Sequence, residues 1–198
     1  MLKKYFLILF LAITTLFSSE ALIKESYLKS YDYEQMGKYT EAIKVLAPIY
    51  KVYPQGYTLN LRIGWLYSLN KNYNSSLKYY QKAHKVNLNS IEPKLGIIKV
   101  LLLTKSFEKA ESLCNEIMKV DYYNYYANLY SVQSLINENK LDIASKILNK
   151  MLVIYPTNIP LLEQLSIIYK KNNNPLLNQL YKDILILDPN NVLVRTNI

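Results

Sequence analysis

A 34-residue period constrains this chain more than any other feature, because it requires a fold built from stacked copies of one small unit. From Gly37-Lys38-Tyr39-Thr40-Glu41-Ala42-Ile43, successive steps land on Lys71-Asn72-Tyr73-Asn74-Ser75-Ser76-Leu77 and on Lys105-Ser106-Phe107-Glu108-Lys109-Ala110-Glu111. A further step reaches Asn139-Lys140-Leu141-Asp142-Ile143-Ala144-Ser145. An aromatic or Leu recurs at Tyr39, Tyr73, Phe107 and Leu141, and a small residue at Ala42, Ser76, Ala110 and Ala144. A β-branched residue recurs at Val52, Val86, Val120 and Ile154, just before a turn that contains Pro54 or Pro156. The chain has only four glycines, too few for a β-sandwich with many tight turns, and its apolar runs are broken by Lys, Asn and Glu in the manner of helices.

Within each unit the spacing predicts two helices. Leu61, Trp65 and Leu69, or Leu129, Val132 and Ile136, give a first helix an apolar face. After a short turn of Asn, Lys or Gly, a second amphipathic helix follows, as in Ala110, Leu113, Cys114 and Ile117. Ala42, Ala110 and Ala144 allow the paired helices to approach closely. Pro54, Pro156 and Pro189 each close a second helix, which proline cannot continue. One such pair cannot bury its apolar face alone, so the pairs must stack.

These residues resemble the tetratricopeptide repeat (TPR) family, whose unit is a 34-residue helix–turn–helix. The best match is Leu61-Arg62-Ile63-Gly64-Trp65-Leu66-Tyr67, followed by Tyr73, Ser76, Tyr80 and Ala83. The resemblance spans about residues 23–191. It implies an all-α fold, a right-handed superhelical solenoid of about five units at 23–56, 57–90, 91–124, 125–158 and 159–191. The fifth unit is one residue short and has Asn178 where a small residue is expected. The third has the bulky Ile98 at another small position. Residues 192–198 form a C-terminal tail.

Residues 1–21 read as a secretory signal peptide rather than as part of the fold. Lys3 and Lys4 precede an apolar stretch from Tyr5 to Phe17, and Ser19 and Ala21 supply the small residues of a cleavage point. The stretch is short for a permanent membrane span, so none is expected after cleavage. No cysteine follows it, which excludes a lipoprotein anchor. A periplasmic or secreted location is therefore expected, and the composition has a bacterial look. Lys and Arg outnumber Asp and Glu by 24 to 15; without residues 1–21 the balance is 22 to 14, a net +8. An exported chain is not expected to meet nucleic acid despite that charge.

Enzyme chemistry has little to work with. One cysteine and one histidine, Cys114 and His84, make a zinc site and a disulfide framework untenable. No nucleophile motif, phosphate-binding glycine loop or carboxylate cluster with metal spacing is present, so no cofactor and no catalytic or metal-binding residue is expected. Asn74-Ser75-Ser76 has the form of a glycosylation acceptor, for which helix capping by Asn74 is the simpler account.

The resemblance places partners along the concave face, which the first helices line. Here that face would carry Tyr27, Tyr31, Arg62, Trp65 and Lys99, then Tyr126, Tyr130, Gln133 and Asn137, and end at Lys170 and Lys171. Aromatics and directional polar groups suit an extended protein segment, and the expected role is a protein-binding scaffold. The alternative is a module that binds a polysaccharide during its export. The carboxylate clamp of chaperone-binding members is not reproduced. Two further readings concern surfaces. Tyr122-Tyr123-Asn124-Tyr125-Tyr126 is either interhelical packing or a stacking platform. The apolar last helix, Leu176 to Leu187, is either covered by the tail or docks a second subunit.

Overall fold

The computed structural model describes residues 20–197. The leader expected at residues 1–21 lies outside them up to residue 19; Glu20 and Ala21 are exposed at the start of the first helix. That helix, α1, covers residues 20–35. It is followed by α2 (Tyr39–Lys44), α3 (Ala47–Val52), α4 (Tyr57–Leu69), α5 (Tyr73–Val86) and α6 (Glu92–Leu103). The order continues with α7 (Phe107–Val120), α8 (Tyr125–Asn137), α9 (Leu141–Ile154), α10 (Ile159–Lys171), α11 (Leu177–Leu187) and α12 (Val192–Arg195). The chain divides into two compact units, one ending at Gly96 and the other starting at Ile97, with the division inside α6.

Every turn from a first helix to a second is made the same way. Gly37, Lys71, Lys105, Asn139 and Asn173 all have positive φ, and each lies 34 residues after the last. At Lys71 the amide donates to Ser68 O at 3.1 Å, while Asn72 N donates to Tyr67 O at 2.9 Å. The same pair of bonds recurs at the other four turns, so the last carbonyls of each first helix find donors. Four helix starts are capped by asparagine: the Oδ1 atoms of Asn72, Asn124, Asn158 and Asn191 accept from backbone amides at 3.0–3.2 Å. The cap of α5 is thus Asn72, and Asn74, expected to serve, lies inside the helix. Asn72 wins because it is the residue that precedes the first helical amides.

In the first unit, Ala42, Leu46, Ile49, Leu59, Ile63 and Leu66 form the core. Ser76 is fully buried and its hydroxyl donates to Gly64 O at 2.7 Å, which holds α5 against α4. One departure from the expected plan appears here. The second helix of the first pair is split into α2 and α3, because Pro48 has no N–H to offer the carbonyl four residues back.

In the second unit, one core joins α8, α9 and α10 through Val132, Leu135, Leu148, Met151 and Leu161. Ile98, bulky at a small position, is accommodated and fully buried. A second core gathers Leu162, Leu180, Tyr181, Ile184 and Val194. Asn191 caps α12 only 33 residues after Asn158. The shortening falls on α11, which has 11 residues where α5, α7 and α9 have 14. Asn178 is exposed, unlike its fully buried counterparts Ala42, Ser76, Ala110 and Ala144. The tail covers the end of the array: α12 places Val194 in the core, and Asn191 Nδ2 donates to Glu163 Oε1 at 2.7 Å.

Candidate functional site

The first-helix residues expected to meet a partner fall into two groups, one in each unit. In the first unit, α4 brings Arg62 and Trp65 against α1. Arg62 is almost fully buried. Its Nη1 is ion-paired with Glu34 Oε2, and its Nε and Nη2 reach Ser30 Oγ at 3.3 and 3.1 Å. Trp65 Nε1 donates to the other Glu34 oxygen at 2.6 Å. The guanidinium also lies 3.8 Å from the centre of the Tyr31 ring. Tyr27 leans on the core beside them, and burial raises its pKa, with Tyr31 adding to the shift and Arg62 opposing it. Four expected residues are therefore gathered in one place. Arg62 is spent on holding α4 to α1, while Tyr31 leaves half of its surface open.

In the second unit, Tyr126, Tyr130, Gln133 and Asn137 follow one another at intervals of four, three and four along α8, and so share one face. The opposite faces of α8 carry its buried residues, among them Ala127, Leu129, Val132 and Leu135. Tyr126 is 53% exposed, and its ring sits 6.0 Å from that of Tyr130 at a tilt of 34°. Tyr130 is half-buried, and burial raises its pKa. Asn137 Nδ2 donates back to Gln133 O at 2.8 Å. Lys99 on α6 is partly buried, and burial lowers its pKa. At the far end, Lys170 is engaged by Asn197 Oδ1, and Lys171 is exposed.

The tyrosine run at 122–126 divides into three parts. Tyr125 is structural: its hydroxyl donates to Asn158 Oδ1 at 2.9 Å and its ring meets Tyr155 edge-on at 5.6 Å. Tyr126 belongs to the α8 stripe. Tyr122 and Tyr123 pack edge to face at 5.0 Å, and Lys150 Nζ lies 3.7 Å over the Tyr122 ring. Lys150 also donates to Tyr122 O at 3.2 Å and to Asn128 Oδ1 at 2.5 Å. A cleft of about 900 Å³ opens beside it between α7 and α9, with Met118, Tyr122, Ile147 and Lys150 on its walls. Sequence reasoning found the tyrosines but not Lys150, Glu34 or Ser30. The chemistry-bearing residues are otherwise quiet. Cys114 is fully buried, His84 is half-buried with no hydrogen-bond partner at Nδ1, and no group of three metal-ligating side chains occurs among the described residues.

No protein-family model matches the sequence, and no curated protein matches it. Solved structures do match. MamA, from residue 41 to its end, from Desulfovibrio magneticus RS-1 is 14% identical with a TM-score of 0.71, over 86% of this chain and 97% of that one. TTC0263, a thermophilic TPR protein of Thermus thermophilus, is 13% identical with a TM-score of 0.70, over 88% and 95%. YrrB, a TPR protein with an unusual peptide-binding site, is 14% identical with a TM-score of 0.62, over 85% and 87%. At such identities the likeness is one of fold. The chain is an all-helical repeat solenoid with the tetratricopeptide-repeat fold.

Proposed function

We propose that this protein is a non-enzymatic scaffold that binds an extended segment of a protein partner along its first-helix faces, in the periplasm or cell envelope of a bacterium. The α8 stripe carries the reading. Tyr126 and Tyr130 offer adjacent ring surface, and Gln133 and Asn137 continue the same face with amide groups that can pair with a peptide backbone. YrrB, with the same fold, is described by a peptide-binding site, which supports a peptide as the ligand class. The apolar leader read from the sequence supports export. Arg62 contributes by fixing α4 and Tyr31 rather than by touching the partner.

The test is selection of peptides from a random library on the full chain, followed by titration of the selected peptides. Tyr126→Ala and Tyr130→Ala should each weaken binding about tenfold or more, with the thermal melt unchanged for exposed Tyr126. Selected peptides that bind these variants as well as the parent would overturn the site. Failure to select any peptide, with retention of acidic polysaccharide instead, would replace the protein partner by a glycan.

A further inference from the structure

The β-branched residue that recurs at Val52, Val86, Val120 and Ile154 has no interior role, since all four side chains are exposed. In the first unit this apolar edge coincides with unbalanced charge. α5 carries Lys78, Lys82 and Lys85 at intervals of four and three, on one face, and has no acidic residue. α2 and α3 add Lys44 and Lys51, and the one carboxylate on these three helices is Glu41, in the first turn of α2. The two second-helix segments lie side by side here, because Tyr50 of α3 meets Tyr79 of α5 edge-on at 5.6 Å and Lys82 Nζ donates to the Tyr50 hydroxyl. Lys44, Lys51, Lys78 and Lys85 have no acidic partner among the described residues. Around the helix ends stand Val52, Tyr53, Val86, Leu88 and Ile91, all exposed, with Leu88 at 68%.

We propose that this face of the first unit docks on the surface of an anionic phospholipid bilayer. The lysines would meet lipid phosphates while Val52, Val86 and Leu88 enter the boundary between headgroups and acyl chains, with Tyr53 at the same level. Charge complementarity alone would suit any polyanion. The apolar side chains decide for a bilayer, because an acidic polymer in water offers them no burial. Long lysine side chains can keep their ammonium groups among the phosphates while their stems lie along the apolar edge. The attachment is peripheral: among the described residues no helix is long and apolar enough to cross a membrane. The second unit lacks this character, since α7 alone interleaves Glu108, Glu111 and Glu116 with Lys109 and Lys119.

The experiment is co-sedimentation of the full chain with vesicles of phosphatidylcholine alone or with one-third phosphatidylglycerol, at low and at 0.5 M salt. Binding should need the anionic lipid and fall steeply with salt. Each exposed lysine removed should weaken it about fivefold, so Lys51→Gln/Lys78→Gln/Lys85→Gln should lose about a hundredfold. Val86→Ser/Leu88→Ser should weaken vesicle binding while leaving retention on soluble polyglutamate unchanged. All these side chains are exposed, so the variants should melt like the parent. Equal binding to both kinds of vesicle, with the lysine variant unaffected, would assign attachment to the apolar N-terminal stretch and overturn the proposal. Vesicle binding indifferent to the Val86 and Leu88 changes would overturn it too, leaving a general polyanion surface.

Discussion

The Tyr80 ring lies against Gly96 so closely that a Cβ added there would stand 2.5 Å from Cε1 and Cζ. On its other side the same ring approaches Gly64, where an added Cβ would stand 2.9 Å from Cδ1. One side chain of α5 is thus seated between glycines of α4 and α6, and both helices can come near it because neither carries a side chain there. Gly96→Ala should destabilise the protein by about 2–3 kcal/mol, despite the helix propensity that alanine adds. Gly64→Ala should cost less, about 1 kcal/mol. Urea unfolding of the two variants, and of Gly96→Ala combined with Tyr80→Leu, checks this. The combined change should cost less than the sum of its parts, because the clash disappears with the ring. An additive result would mean that the ring does not set the helix spacing.

The five left-handed turn residues make a second prediction that separates backbone from side-chain effects. Lys71 and Lys105 hold φ at 58°, a region that costs an L-residue about 1 kcal/mol or more. Lys105→Gly should therefore stabilise by about 0.5–1 kcal/mol. Asn139→Gly should gain less, since asparagine tolerates this region. Gly37→Ala should lose about 1 kcal/mol although nothing lies within 4 Å of the added Cβ. Thermal melts of the three variants give the comparison, and a neutral Gly37→Ala would show that its turn can relax.

What was legible in the sequence follows from what repeats. The turns and the fully buried small residues at 42, 76, 110 and 144 recur at one period, and each was readable from it. Pro48 has no such counterpart: the positions 34, 68 and 102 residues on are Lys82, Glu116 and Lys150. A reading guided by the period passed over it, and there the helix breaks. The candidate site divides along the same line. Tyr126 through Asn137 could be placed on one face because helical spacing is enough. The fate of Arg62 could not, because Glu34 pairs with it across 28 residues and the next repeats hold Ser68 and Gly96 at the two positions. The recurrence of Val52, Val86 and Val120 was legible, but their exposure was not: only the structure shows them at the surface.

That Arg62 network should behave as a unit. Arg62→Leu removes the ion pair and leaves Glu34 beside Trp65 with its charge uncompensated, so it should cost about 2–4 kcal/mol. Replacing both partners, as in Arg62→Leu with Glu34→Leu, should recover much of that loss, because no charge is then left half-buried and unpaired. The double-mutant cycle is read from urea unfolding, with Trp65 fluorescence reporting the local packing. If Arg62→Leu alone were neutral, Arg62 would not be holding α1 to α4, and its guanidinium would return as a candidate for partner contact.

Cys114 gives a pH dependence with a definite sign. Burial, with Glu111 adding to it, pushes the thiol from 9.0 up to about 12. The native state therefore keeps its proton through a range in which the unfolded chain releases it. Since the unfolded state binds fewer protons there, stability is fully present below pH 9 and is lost as pH rises toward 12. One such group can contribute a slope of at most about 1.4 kcal/mol per pH unit. Tyr27, Tyr79, Tyr125 and Tyr130 are raised by burial as well and act in the same direction, from a higher starting value of 10.0. The tyrosines already contribute between pH 9 and 10, so the thiol's share is the difference between the parent protein and Cys114→Ala. Urea midpoints of the parent protein should fall across that window, and those of Cys114→Ala should fall less. In the same window iodoacetamide should label the native protein far more slowly than the unfolded chain. Rapid native labelling at pH 8 would place the thiol within reach of solvent and remove the basis for the slope.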